Sequence, residues 1–102
     1  MMINVLATIQ LKSGTRKNFL DVFNANVPSV LAEEGCIEYY PTVDVETDLD
    51  AQTSDENMVI VIEKWESLDA LQAHLKAPHM IEFRNNAGEM IEAVSLKIMT
   101  KA

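Results

Sequence analysis

The sequence predicts an α+β fold: a ferredoxin-like antiparallel sheet with helices on one face. Segments with a two-residue apolar period stand near both ends of the chain, and stretches with helical spacing separate the extended ones. One extended segment, Met58 to Ile62, is apolar on both faces, as expected of a strand in the middle of a sheet. The resulting order, β-α-β-β-α-α-β, is the ferredoxin-like pattern with its second helix broken in two.

Residues 2 to 11 alternate, with Ile3, Val5, Ala7, Ile9 and Leu11 on one side and Asn4, Leu6, Thr8 and Gln10 on the other, so they form the first strand. Ser13 and Gly14 end it. Thr15 is placed to cap a helix whose apolar stripe is Phe19, Leu20, Phe23, Val27, Val30 and Leu31. Pro28 removes a backbone donor, which predicts a kink or break near Asn26 or Val27 before the helix ends at Gly35.

A second strand is expected from Cys36 to about Thr47, rich in β-branched and aromatic residues, with Pro41 arguing for an edge position or a bulge. A polar loop follows from Asp48 to Glu56, then a third strand from Asn57 to Trp65. Ser67 caps a short helix carrying Leu68, Leu71 and Leu75. Pro78 stops it and opens another at the favoured first position, with Met80, Ile81, Phe83 and Ala87. A last strand runs from about Ile91 to Met99. Helices on one face leave Leu6 and the doubly apolar third strand uncovered on the other, which predicts a homodimer with facing sheets.

The 102 residues make a single domain, 1–102, with no internal repeat or linker. A net charge of −8 argues against nucleic acid and anionic membrane surfaces as partners. No apolar run approaches the roughly 20 residues of a membrane span. The N-terminus lacks the features of a secretory signal, and a lone Cys36 fits a reducing compartment, so the expected location is cytoplasmic.

Among residues able to carry chemistry, His74 and His79 stand out, five apart around the helix break in AHLKAPHM. An unbroken helix would hold them about 140° apart, whereas a turn at Ala77-Pro78 can direct both toward one cavity. His79 in a first helical turn is the expected neutral base, because the helix dipole disfavours imidazolium there and favours it at His74 in a last turn. The alternative is that both simply help end and start helices. Trp65 offers an apolar wall with one donor, or merely caps the core. Only one of Tyr39 and Tyr40 can face a given cavity, and Asn4 carries an amide on the less apolar face of the first strand. Cys36 reads as an inert small hydrophobe.

No metal site is expected: the H-x4-H spacing matches no common zinc motif, and Leu49 stands where a calcium loop starting at Asp44 needs glycine. No glycine-rich phosphate cradle and no G-x-S-x-G nucleophile turn occurs.

The segments VPSVLAEEGCIEYYPTVD and VIVIEKWESLDALQAHLKAPHM, within a chain of this pattern, resemble the antibiotic biosynthesis monooxygenase (ABM) family of dimeric α+β barrels, and especially its small bacterial quinol monooxygenases. The resemblance spans nearly the whole chain. It implies two subunits packed sheet to sheet, with a pocket between sheet and helices where a quinol or other phenol meets molecular oxygen with no metal, flavin or other cofactor. His79, His74 and Trp65 are then the candidate catalytic residues, and Asn4 and Tyr39 the candidate substrate-binding ones. The haem-degrading members of the family are set apart, because the positions of their Asn, Trp and His hold Ala7, His74 and Arg84 here. A branch acting on small phosphorylated signalling metabolites, which also carries a His-rich segment ending in Pro-His, and a non-catalytic ligand-binding dimer are the competing readings.

Overall fold

A computed structural model describes residues 1–102. The strands are β1 (Ile3–Leu11), β2 (Cys36–Thr42), β3 (Met58–Trp65) and β4 (Ile91–Met99). The helices are α1 (Arg16–Leu31), α2 (Leu68–Leu75) and α3 (Pro78–Ala87), and a 3₁₀ turn, Gly88–Met90, leads into β4. The sheet order is β2-β3-β1-β4 with every pair antiparallel, the expected ferredoxin-like arrangement.

The two-residue period decides which side chains meet the helices. Ile3, Val5, Ala7, Ile9 and Leu11 of β1 and Val59, Val61 and Trp65 of β3 are buried against Phe19, Phe23 and Val30 of α1, Leu71 of α2 and Met80, Phe83 and Ala87 of α3. The opposite face carries Asn4, Leu6, Met58, Ile60 and Ile62 with no helix over them. On the helix side, β4 lies beyond the helices' reach: Val94, Leu96 and Ile98 pair with Ile9, Ala7 and Val5, yet remain exposed.

Several local expectations are corrected. The first helix is continuous from Arg16 to Leu31 and does not break at Asn26 or Val27. Pro28 sits on the solvent side, where the Asn24 carbonyl it leaves unpaired can be hydrated, and buried Val30 anchors the last turn. The helix also stops short of Gly35. Thr15 does not cap it through its side chain, because the hydroxyl instead donates to the Lys12 carbonyl at 2.8 Å. Strand β2 ends at Thr42, not Thr47: Thr42 already faces Ile60, two residues from the start of β3, so little neighbouring strand remains. Asp44 then turns into the loop, its Oδ2 accepting the Asp55 N–H at 2.7 Å. Ser67 caps α2 as expected, accepting the Ala70 N–H at 3.1 Å, and Pro78 opens α3. Pro41 lies on an edge strand, where its missing N–H costs no ladder bond.

Candidate active site

The α2–α3 break, the turn between α1 and β2, and the ends of β2 and β3 bring their polar side chains together. The turn is fixed by Gly35, whose φ of +85° suits glycine. A Cβ there would lie 2.6 Å from that of Ala70 in α2, and the Gly35 carbonyl accepts the Glu66 N–H at 2.8 Å. This close approach holds the turn residue Glu33 against α2. Glu33 Oε2 accepts from His74 Nδ1 at 2.7 Å and lies 3.2 Å from His79 Nε2. One carboxylate thus joins the last turn of α2 to the first turn of α3.

The two histidines differ, though not as the helix dipoles alone predict. His74 is 1 % exposed, and its pKa is lowered, chiefly by burial, against the opposing pull of Glu33. Desolvation outweighs the favourable helix end, so His74 is the neutral imidazole. His79 keeps 27 % of its side chain exposed. Its Nδ1 is 3.2 Å from Asn26 Oδ1 on α1, and its Nε2 faces the Glu33 carboxylate at an angle that makes no hydrogen bond. Both ring nitrogens thus lie 3.2 Å from an oxygen, and a neutral imidazole, with one N–H, can donate to only one of them.

The pair does not open into a single cavity. His79 alone lines a groove of about 570 Å³ between α1 and α3, with Asp21, Asn26, Glu82, Phe83 and Asn86 among its walls. The space between sheet and helices, where the resemblance implies a pocket, is filled by aromatic rings. Phe23 stacks on Tyr39 at 5.4 Å, and Phe83 meets Phe23 edge-on at 5.6 Å.

Trp65 and Tyr39 stand behind His74, with ring centroids 4.6 and 5.4 Å from its imidazole. Trp65 is fully buried, and its Nε1–H donates to Glu63 Oε1 at 3.0 Å, so this donor is not free for a substrate oxyanion. Glu63 itself is buried, with its carboxyl pushed up to about 7, first by burial and then by the charge of Glu33, while the Trp65 bond opposes. Burial, with Glu63, Glu33 and Cys36 adding to it, raises the Tyr39 hydroxyl far above the usual tyrosine value. Burial and the same two carboxylates push the Cys36 thiol up to about 11, so it stays protonated and unreactive. Asn4 is not part of this cluster. It alternates with buried Ile3 and Val5 and so points to the helix-free face of the sheet.

The fold and this cluster can be set against known proteins. The antibiotic biosynthesis monooxygenase family model matches residues 2–86. The chain belongs to this family. A curated member, "Probable quinol monooxygenase YgiN" of Escherichia coli K12, is 42 % identical over 81 residues, 78 % of each chain, and the Shigella flexneri protein of the same name matches equally. Solved structures share the family fold. A conserved protein from Methanosarcina mazei Go1 superposes with a TM-score of 0.85 at 22 % identity, covering 100 % of this chain and 94 % of its own. PA3566 of Pseudomonas aeruginosa gives 0.82 at 22 %, covering 99 % and 94 %.

Sequence reasoning missed Glu33, Glu63 and Asn26. Glu63 had a signal: counting by twos from Val59 through Val61 to Trp65 puts it on the buried face of β3. Glu33 and Asn26 reach their histidines across 41 and 53 residues, and no local pattern announces that.

Proposed function

We propose that this member of the ABM family is a monooxygenase that oxygenates a quinol or related electron-rich phenol with molecular oxygen, using neither metal nor flavin. The observation that carries this reading is the His79–Glu33–His74 chain, which begins at the groove and ends in the core. Deprotonating a quinol makes the substrate itself the electron donor to oxygen, so the protein need only supply a base and a shielded site. Balanced, a quinol and O₂ give a hydroxyquinone and water. One oxygen atom enters a ring C–H bond, and the other leaves with the two hydroxyl hydrogens. His79 takes the first of those protons at the groove. Glu33, 3.2 Å from His79 Nε2, stabilises the ring through its charge when the imidazole is protonated, and neutral His74 holds Glu33 in place from behind. The curated relative's name supports the substrate class.

The groove also weighs between substrates. Its walls include Asp21 and Glu82 and no Lys or Arg, and the nearby Lys17 is paired with Asp21 at 3.6 Å, so a phosphorylated metabolite meets acidic walls with no cation among them. A neutral quinol meets neither problem. The helix-free sheet face supports assembly as a homodimer with facing sheets.

Oxygen-electrode assays of metal-stripped protein with a panel of hydroquinones test the activity, with phosphorylated metabolites run beside them. Oxygen uptake with a hydroquinone and formation of the hydroxyquinone is the expected result. Turnover confined to a phosphorylated compound, or hydroquinone binding without turnover, overturns it.

A further inference from the structure

Glu63 has no part in the chemistry above, yet it is the one acid on the buried face of the sheet. Its neighbours give it a single donor, the Trp65 indole N–H, and no cation. From β2, Tyr39 stands directly opposite it in register, and Cys36 shares its electrostatic field. The turn after α1 contributes Glu33; α2 contributes neutral His74, reached through the Trp65 ring, and α3 contributes His79 beyond Glu33. Its β1 partner is Val5, with nothing to titrate.

We propose that Glu63 is a positioning residue whose carboxyl, by binding and releasing a proton beneath the site, sets how firmly the Trp65 ring is held against His74. When ionised, it accepts the indole N–H in a charge-assisted bond, roughly twice as strong as a neutral one. The ring that packs 4.6 Å from His74 is then fixed, and His74 in turn fixes Glu33. When protonated, the carboxyl is a weaker acceptor and carries an O–H of its own to place, so the wall loosens. The change falls in the neutral range, where burial has moved the group. The link from the wall to turnover rests on the quinol reading; the link from Glu63 to Trp65 does not.

Trp65 is the only tryptophan, so intrinsic fluorescence reads this contact directly. In the wild-type protein, emission is expected to titrate with a midpoint near pH 7, and in Glu63→Gln, which keeps an acceptor but cannot ionise, to stay flat over about pH 5.5–9. A flat wild-type profile, or a Glu63→Gln profile that titrates like the wild type, overturns the proposal. Carboxyl ¹³C NMR of glutamate-labelled wild-type protein makes the same measurement without a variant: one resonance is expected to titrate near 7, and none doing so overturns it. In quinol assays Glu63→Gln is expected to lose the same limb of the kcat profile with KM unchanged. If no quinol turns over, the functional reading fails while the fluorescence and NMR results still decide the role of Glu63.

Discussion

At the scale of single residues, a buried carboxyl with no cation makes stability depend on pH. The unfolded chain releases the Glu63 proton near 4.5, while the folded chain keeps it until about 7. Its contribution is therefore full below pH 4.5, falls between 4.5 and 7, and stays low above that. A gap of about 2.5 pH units corresponds to about 3 kcal/mol. Glu63→Gln should gain stability relative to the wild type as pH rises from 4 to 8, by up to that amount, in urea titrations; an equal difference at both pH values contradicts this. His74 acts in the opposite sense. Its lowered pKa gives stability that is present above 6.5 and lost as acid charges the ring. The histidines also differ in kinetics. His79→Ala should lower kcat and kcat/KM together by about 10²–10⁴-fold, the range of a general base. His74→Gln, which has no surface on the groove, should lower kcat and leave KM unchanged in the same initial-rate assays. His74, His79, Trp65 and Tyr39 were legible because a proline-marked helix break, a strand end and the two-residue alternation of a strand are local signals. The partners that define their roles were not, because Glu33 and Asn26 arrive by long-range folding.

The elements show why local rules placed the fold well and its boundaries less well. Alternation in β1 and β3 follows from burial of one face, and burial keeps α1 continuous through the proline expected to kink or break it. Strand β2 stops where its neighbour runs out, a property of β3 that residues 43–47 do not encode. The turn at Gly35 is the element on which the site depends most. A side chain there meets both a left-handed backbone and the Ala70 Cβ at 2.6 Å. Gly35→Ala should cost about 2–4 kcal/mol, since strain and overpacking add. It should also displace Glu33, so that turnover falls further than the loss of folded protein accounts for. Chemical denaturation and rates per folded molecule separate the two effects; a variant with wild-type stability would refute the close packing.

For the whole molecule, two apolar surfaces remain open: Leu6, Tyr40, Ile60 and Ile62 on the helix-free face, and Val94, Leu96 and Ile98 along β4. Burying such surfaces yields about 25 cal/mol per Å², which favours association despite a like charge of −8 on each copy. Analytical ultracentrifugation at micromolar concentration should find a dimer, tighter at higher salt as the charges are screened. A species of 11.4 kDa at every concentration would overturn the facing-sheet assembly.

β1 lies between β3 and β4, and the Thr100 hydroxyl donates to the Met2 carbonyl at 3.0 Å. β1 therefore leaves the ribosome before both of its partners, one from residues 58–65 and one from residues 91–99. Until the second has been made, one edge of β1 offers unpaired N–H and C=O groups to any neighbouring strand. A nascent chain of this topology cannot close its sheet as it grows, and the interval before β4 emerges is when it is most open to pairing with the wrong chain.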